Sequence, residues 1–327
     1  MKHKMKWMPL VLAVCLLCAC APAQPGESGA EETIYVDQVV MEEISLEDEA
    51  VPLAASPVAQ DTMLLPVASG TVVKRTDRAV IDYSNVADGY VMVQFTASTD
   101  KPLRVQIVGP TTTYVYFLTA GQWTTFPMSD GNGTYKVNVL EGTSSGKYAL
   151  VCSESISVTL SNEFAPFIRP NQYVDYSGAT NTLQKAEELT RGLTDPLAKV
   201  EKVYDFVVNN LTYDTQKASS VKSGYLPALD SVLASKKGIC FDYAALMAGM
   251  LRSQGVPCKL VVGYAGTAYH AWISVWTEDQ GWVDGVIFFD GSVWQRMDPT
   301  FASSGKSSEA IMKYIGDGSN YTAKQFY

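Results

Sequence analysis

Residues 237–246, KGICFDYAAL, place one cysteine between a glycine and the start of a predicted helix. The helix is predicted over residues 240–253, because apolar residues dominate it and Gly255, followed by Pro257, would end it. A cysteine at a helix N-terminus lies at the positive end of the helix dipole, which lowers the pKa of its thiol from about 8.5. The N–H of Cys240 could also donate to an oxyanion. The segment therefore predicts a thiol nucleophile, with a small packed side chain as the alternative.

The first residues of the chain are typical of an export signal. Three lysines precede an apolar run that ends in Leu-Cys-Ala-Cys20, and the sequence then turns polar. This run is shorter than the ~20 residues of a membrane span, which favours cleavage over retention as an anchor helix. The Leu-Cys-Ala-Cys pattern resembles the lipobox of bacterial lipoproteins, which implies cleavage after residue 19 and lipidation of Cys20. Ordinary signal cleavage near Ala19 or Ala23 is the alternative, and either event places the protein outside the cytoplasm.

Removal of residues 1–19 changes the charge and the histidine content of the chain. Three lysines and no acidic residue are lost, so the formal net charge goes from −9 to −12. Nucleic acid is not an expected partner, since binding to phosphates needs a basic surface. A lipid on Cys20 would instead make the bacterial cell membrane a partner. His270 is then the single histidine of the mature sequence.

The remaining cysteines do not predict a disulfide framework or a metal site. Cys152, Cys240 and Cys258 lie in the expected folded part, and a bridge from Cys152 to Cys258 would have to join two predicted domains. Cys240 and Cys258 lack the short paired spacing of zinc ligands, and no segment matches a calcium-binding loop. We therefore predict no metal and no other cofactor.

Composition divides the rest of the chain. With 327 residues, 47% of them hydrophobic, the chain can bury a large core and is long enough for two domains. Residues 20–62 are acidic and rich in Ala, Pro and Gly, which predicts a disordered tether. Residues 63–161 carry short alternating runs between turn clusters, which predicts a small all-β sandwich. Its segment 111–116, TTTYVY, could be a ligand face, although ordinary strand composition also explains it.

The pattern over residues 162–327 predicts an α+β domain. Helices are expected at 183–189 and from Pro196 onward, where Asp195 can cap and apolar residues recur every three or four positions. Strands are expected at 259–264, 270–276 and 293–297. Helices followed by an antiparallel sheet make an α+β fold.

Three residue types in this domain could carry chemistry together. A nucleophilic thiol needs an imidazole that takes its proton and later gives it to the leaving amine, and His270 is the only candidate. A third group must fix the imidazole tautomer, and Asp298 ends a predicted strand that could supply it. A lone histidine before an aromatic strand is otherwise a packing residue. We interpret Trp272 as a wall of the site and Cys258 as core packing.

The order and spacing of these segments resemble the transglutaminase-like superfamily of papain-type thiol enzymes. The resemblance covers about residues 183–302. Its matching pieces are residues 209–214 (NNLTYD), 238–240 (GIC), 255–264 (GVPCKLVVGY), 270–272 (HAW) and 294–300 (WQRMDPT). It implies a papain-like core of helices packed on an antiparallel sheet. It also implies that Cys240 is the nucleophile, His270 the general base and acid, and Asp298 the orienting carboxylate.

Two departures accompany the resemblance. Residues 283–291 make a longer connection than the usual tight hairpin of the family. No residue of this sequence matches a side-chain oxyanion donor of the family, and Tyr213 is the residue considered for that role.

Together with the export signal, the resemblance implies an extracytoplasmic enzyme that forms a thioester between Cys240 and the acyl group of an amide. Attack by a lysine amine would make it a transglutaminase, and attack by water would make it a protease or amidase. The expected substrate is a protein or peptide, with a cell-wall peptide as one candidate. The alternative is a catalytically inactive surface module that keeps the fold for binding or scaffolding.

Overall fold

The computed structural model describes residues 63–143, 146–278, 281–284, 288–289, 294–295 and 321–327. The predicted signal peptide, the lipidation residue Cys20, the tether over 20–62 and Asp298 lie outside these residues. Within the described part of the chain, no helix is both long enough and apolar enough to cross a bilayer.

The N-terminal part of the described chain consists mainly of β-strands, as predicted. Its strands are β1 (Val73–Arg75), β2 (Ala79–Asp82), β3 (Tyr90–Phe95), β4 (Leu103–Val108), β5 (Thr113–Leu118), β6 (Trp123–Pro127), β7 (Gly133–Gly142) and β8 (Tyr148–Val158). They form two antiparallel sheets, with the orders β1-β2-β3-β6 and β5-β4-β7-β8. Alternate residues of β5 are buried, so Tyr114 and Tyr116 lie in the core. This burial favours the packing interpretation of segment 111–116 over a ligand face.

The C-terminal part of the described chain combines helices with a mostly antiparallel arrangement of strands. Its helices are α1 (Thr180–Thr190), α2 (Pro196–Asn210), α3 (Thr215–Ser220), α4 (Leu229–Ser235) and α5 (Cys240–Ser253). Its strands are β9 (Thr212–Tyr213), β10 (Lys237–Gly238), β11 (Cys258–Ala265), β12 (Ala268–Thr277), β13 (Gly281–Asp284), β14 (Phe288–Phe289), β15 (Trp294–Gln295) and β16 (Tyr321–Phe326). The main sheet has the order β13-β12-β11-β16 and is antiparallel throughout.

Helix α5 is the centre of this part. It packs against the helices α1, α2 and α4 and against the strands β11 and β12. Every residue from Asp242 to Ser253 is buried, which is expected for a helix that is apolar around most of its circumference. The α+β fold with helices on an antiparallel sheet is therefore confirmed.

Local signals predicted the three long helices closely. The Asp195 carboxylate accepts a hydrogen bond from the N–H of Leu197 at 3.1 Å, and Pro196 occupies the first helical position of α2. Helix α5 begins at Cys240 and ends at Ser253, and Gly255 follows with a left-handed φ of 77°. Of the strand predicted over residues 293–297, the structure describes only Trp294–Gln295.

Several short elements were missed by the sequence analysis: α3, α4, β9, β10, β13, β14 and β16. Strand β16 lies beside β11, and the N–H and C=O of Tyr327 exchange hydrogen bonds with Leu260 at 2.8 and 2.9 Å. The buried guanidinium of Arg252 holds this end of the chain, because it donates to the carbonyls of Tyr327, Cys258 and Arg169. The C-terminal residues therefore form part of the core sheet.

An aromatic cluster joins the β part to the α+β part. The ring of Tyr173 stacks on that of Tyr327 with centroids 3.9 Å apart, and Tyr116 meets both rings edge-on. The side-chain amide of Gln172 pairs with both main-chain groups of Phe117 at 2.9 and 2.7 Å, as a neighbouring strand would. The outer edge of β5 is thereby joined to the segment that leads into the α+β part.

Candidate functional site

Cys240 is the first residue of α5 and is half-buried, with its side chain packed against the edge of the core. The N-cap residue, Ile239, has extended backbone angles and no side-chain acceptor to offer. The first turn of a helix carries N–H groups that have no acceptor within the helix. The thiol and these N–H groups therefore sit together at the positive end of the α5 dipole.

A short strand pair fixes the entry of the chain into α5. Residues Lys237 and Gly238 pair in parallel with Thr212 and Tyr213, and the N–H of Asp214 donates to the carbonyl of Gly238 at 2.9 Å. A Cβ on Gly238 would lie 2.6 Å from the Cβ of Asp242, a distance that side chains do not adopt. Glycine is therefore required at position 238, because the backbone there passes close to the first turn of α5. This close packing is the physical reason for the glycine in the Gly-Ile-Cys pattern.

Tyr213 lies on β9, directly beside Gly238, and is half-buried. Gly238 precedes Cys240 by two positions, so the backbone of Tyr213 lies beside the segment that leads into the cysteine. Its role as an oxyanion donor stays a prediction.

Asp242 is fully buried two residues after Cys240, and sequence reasoning missed it. Its Oδ2 accepts from the N–H of Ile239 at 2.8 Å and from Lys217 Nζ at 2.7 Å. Its Oδ1 accepts from the hydroxyl of Tyr225 at 2.5 Å. One signal in the sequence could have found it: a single carboxylate in the first turn of an otherwise apolar helix demands buried partners.

His270 lies on β12 and is 2% exposed. Its ring is nearly parallel to that of Trp272, with centroids 6.2 Å apart, and lies 6.5 Å from the ring of Tyr321. Its register partner on β11 is Gly263. A Cβ on Gly263 would lie 2.9 Å from the indole of Trp272. The absence of a side chain at Gly263 therefore makes space for this indole beside His270.

Cys240 and His270 lie on two elements that pack against each other, α5 and β12. A turn over residues 254–257 joins the end of α5 to the start of β11. At 1.5 Å per residue, Cys240 lies about 20 Å along α5 from Ser253. At 3.3 Å per residue, Gly263 lies about 17 Å along β11 from Cys258. Cys240 and Gly263, the register partner of His270, therefore lie at similar distances from the turn that joins α5 to β11.

Among the described residues, Cys240 differs from the other two cysteines in its burial. Cys152 and Cys258 are both buried and are not joined by a disulfide. Burial raises the pKa of the Cys258 thiol to about 12 and also raises the pKa of Cys152. A thiol with a raised pKa is a poor nucleophile. Cys258 lies on the core side of β11, in agreement with the packing role predicted for it.

A cavity beside the aromatic neighbours of His270 adjoins a second, larger cavity. The smaller, of about 220 Å³, is lined by Trp272, Tyr321 and Phe326 among others. It shares Lys259 and Trp282 with a cavity of about 450 Å³ that extends to the loops of the β part. The Lys259 ammonium lies 3.7 Å from the centroid of the Trp282 ring, within the range of a cation–π contact. Trp272, which is 4% exposed, forms a wall of the smaller cavity.

The described residues contain no group of three or more His, Cys, Asp or Glu side chains placed to hold a metal ion. Asp298 lies outside the described residues, so its place beside His270 stays a prediction.

Residues 183–285 match the family model of the transglutaminase-like superfamily. The chain carries a transglutaminase-like domain. The match runs from within α1 past the end of β13 and includes both Cys240 and His270. It ends before Asp298. The transglutaminase-like match indicates thiol acyltransferase or protease chemistry.

Individual relatives resemble smaller parts of the chain. The uncharacterized protein YebA of Bacillus subtilis is 27% identical over 117 residues, which are 30% of this chain and 16% of YebA. The protein-glutamine gamma-glutamyltransferase of Pseudomonas aeruginosa is 32% identical over 68 residues, which are 16% of this chain and 10% of that protein. This chain therefore spans less than a fifth of the length of either relative.

Among solved structures, the periplasmic domain of TgpA from Pseudomonas aeruginosa is 17% identical to this chain. The alignment covers 74% of this chain and all of that domain, with a TM-score of 0.34. A score at this level carries no argument about function, and the assignment of the transglutaminase-like domain stands on the family match.

Proposed function

We propose that this protein is an extracytoplasmic thiol enzyme that acts on amide bonds through a thioester on Cys240. The observation that carries the proposal is the half-buried thiol on the first turn of α5, a helix that packs against the strand that holds His270. The other two described cysteines are buried in cores and have raised pKa values. The thiol that chemistry can use is therefore the one at the helix N-terminus.

In the proposed reaction His270 takes the proton of the Cys240 thiol, and the sulfur attacks the carbonyl carbon of an amide. The oxyanion that forms lies against the N–H groups of the first turn of α5. When the C–N bond breaks, His270 gives its proton to the leaving amine or ammonia, and the acyl group remains on sulfur as a thioester. Asp298 is proposed to hold the imidazole in the tautomer that accepts the proton.

The second half of the reaction decides between acyl transfer and hydrolysis. A primary amine that attacks the thioester carbon gives a new amide and restores the thiol, whereas water gives a carboxylic acid. The name of the Pseudomonas relative, a protein-glutamine gamma-glutamyltransferase, favours a glutamine side chain as donor and an amine as acceptor. We therefore propose transamidation of protein glutamine as the first activity to test, and proteolysis or amidase activity as the second.

One experiment separates these outcomes. The protein is incubated with casein and a labelled primary amine, and label incorporation, ammonia release and chain cleavage are measured together. Incorporation without cleavage establishes transamidation, and cleavage or ammonia release without incorporation establishes hydrolysis. A protein that gives none of these products with casein or with cell-wall peptides would contradict the enzyme proposal and favour the binding module.

A second experiment tests the thiol and imidazole directly. Loss of the imidazole should return the Cys240 thiol toward its ordinary pKa of about 8.5 and slow its alkylation near pH 7 by about tenfold. The rate of iodoacetamide labelling of the Cys240 peptide is measured by mass spectrometry for the wild type and for His270→Ala. Equal rates would show that the two groups do not act as a pair.

Attachment to the membrane is also part of the proposal. The Leu-Cys-Ala-Cys20 pattern supports lipidation of Cys20 after export. Labelling of bacterial cells that express the protein with a radioactive fatty acid should mark the wild type and not Cys20→Ser. Label on both proteins, or on neither, would refute a lipid anchor at this residue.

A further inference from the structure

The first turn of α5 contains a buried charged group that the proposed catalytic residues do not include. Asp242 is fully buried, while the side chain of Lys217 is 28% exposed. Lys217 Nζ lies 2.7 Å from Asp242 Oδ2 and 2.6 Å from the hydroxyl of Tyr225. The Tyr225 hydroxyl in turn donates to Asp242 Oδ1. With the N–H of Ile239, the carboxylate has donors on both of its oxygens.

Hydrogen bonds and an ion pair satisfy the buried carboxylate of this group. A buried carboxylate is costly unless it is paired and hydrogen-bonded, and here it has one cation and two neutral donors. Burial and the negative charge of Asp242 raise the pKa of Tyr225, so its hydroxyl keeps its proton and acts as a donor. The ammonium of Lys217 also lies 4.1 Å from the centroid of the Tyr225 ring.

The carboxylate fixes the backbone on both sides of Cys240. Asp242 lies two residues after the cysteine, and it accepts from the N–H of Ile239, the residue before it. The backbone at Gly238 packs so closely against the Asp242 side chain that a Cβ would not fit between them. Movement of Cys240 would therefore require the Asp242 hydrogen bonds to break.

We propose that Lys217, Tyr225 and Asp242 form a positioning unit for Cys240: the carboxylate fixes the first turn of α5, and Lys217 cancels its charge near the thiolate. The inference rests on the proposed role of Cys240 as nucleophile. Without the cation, a carboxylate two residues away would oppose formation of the thiolate. Lys217 comes from α3 and Tyr225 from the loop that follows it, so in this proposal residues outside α5 set the state of the thiol.

Other titratable groups also lie on the elements around this turn, and they stay unchanged in the test below. They include Tyr173, whose ring lies against Phe241, together with Tyr213, Asp214, Lys237 and His270.

The test measures the pH dependence of iodoacetamide labelling at the Cys240 peptide in the full chain. Lys217→Met leaves the carboxylate without its cation and should raise the thiol pKa by about one unit. Asp242→Asn leaves the cation without its carboxylate and should lower it. Lys217→Arg keeps the charge and should restore a value within about 0.3 unit of the wild type.

Asp230→Asn is the matched control, because Asp230 holds the N-terminus of another helix in a similar way. Its carboxylate accepts from the N–H groups of Asn181 and Thr182 in α1. This variant should leave the pKa of the Cys240 thiol unchanged. Circular dichroism establishes that each variant is folded before it is labelled.

The decisive result is that the pKa of the Cys240 thiol shifts in opposite directions in Lys217→Met and Asp242→Asn, since general damage to the fold would move the pKa in the same direction in both variants. Shifts of the same sign, or shifts no larger than that of Asp230→Asn, would overturn the proposal. If either variant does not fold, Tyr225→Phe replaces it. This variant should raise the thiol pKa by less than Lys217→Met, and a wild-type value would refute the positioning unit. The outcome is independent of His270→Ala, whose failure to slow labelling would refute the nucleophile pair alone.

Discussion

Replacement of Gly263 by alanine is predicted to displace strand β16 from the main sheet. Gly263 lies on β11 between His270 of β12 and Ala323 of β16, at an irregularity in the β11–β16 register. A Cβ at this position would lie 2.1 Å from the carbonyl oxygen of Thr322 and 3.0 Å from the Cα of Ala323. Both are backbone atoms, which cannot rotate away as the end of a side chain can.

The size of the effect follows from these distances. Real Cβ atoms do not approach other heavy atoms closer than 3.0 Å, so the backbone at Thr322 has to move by at least 0.9 Å. Overpacking of this kind costs about 1–3 kcal/mol, and we expect the upper end because the displaced atoms belong to a paired strand. A loss of about 3 kcal/mol lowers the melting temperature of a domain of this size by about 6–12 °C.

Thermal unfolding followed by circular dichroism measures the change, and amide hydrogen exchange locates it in β16. Gly178→Ala is the matched control, because no atom lies within 4 Å of a Cβ there and its φ is not in the left-handed region. This variant should stay within about 0.5 kcal/mol of the wild type. A Gly263→Ala protein that melts within 1 °C of Gly178→Ala, with protected β16 amides, would refute the reasoning.

Three further predictions concern the core, the β part and the cysteines. Arg252→Lys should destabilise the protein by about 3 kcal/mol in urea unfolding, because one ammonium cannot donate to the three carbonyls that the guanidinium reaches. Glu141 is held by Arg78 at 2.9 and 2.6 Å, and these hydrogen bonds lower its pKa from 4.5 to about 2. The ionised Glu141 carboxylate therefore makes its full contribution to the free energy of unfolding above pH 4.5, and this contribution is lost as the pH falls toward 2. The difference in the free energy of unfolding between wild type and Glu141→Gln should narrow over that interval. Iodoacetamide at pH 8 should label Cys240 in the folded protein and label Cys258 only after unfolding, and equal labelling in the native state would contradict the assigned burial.

Local patterns in the sequence determined much of the fold. The alternation in β5, the cap at Asp195 and the glycine after α5 are signals between residues close in the chain, and each element formed where its signal lies. The helix start selected Cys240. His270 was selected because it is the single histidine left after residues 1–19 are removed.

Only the tertiary structure decided the short elements. Helix α3 has six residues and is too short to be stable alone, so its position depends on what it packs against. Strand β16 is a strand because β11 supplies its hydrogen-bond partners. No local pattern marks an edge strand whose partner is distant in the chain.

Tertiary structure also decided the chemical surroundings of the thiol. Lys217 and Asp242 are 25 residues apart, and Arg252 meets the C-terminal residue Tyr327 across 75. The sequence shows that these residues are charged, but the energy of a buried charge depends on which donors and acceptors surround it. Those neighbours are brought together by packing, and so the partners of Asp242 became visible only in the folded chain.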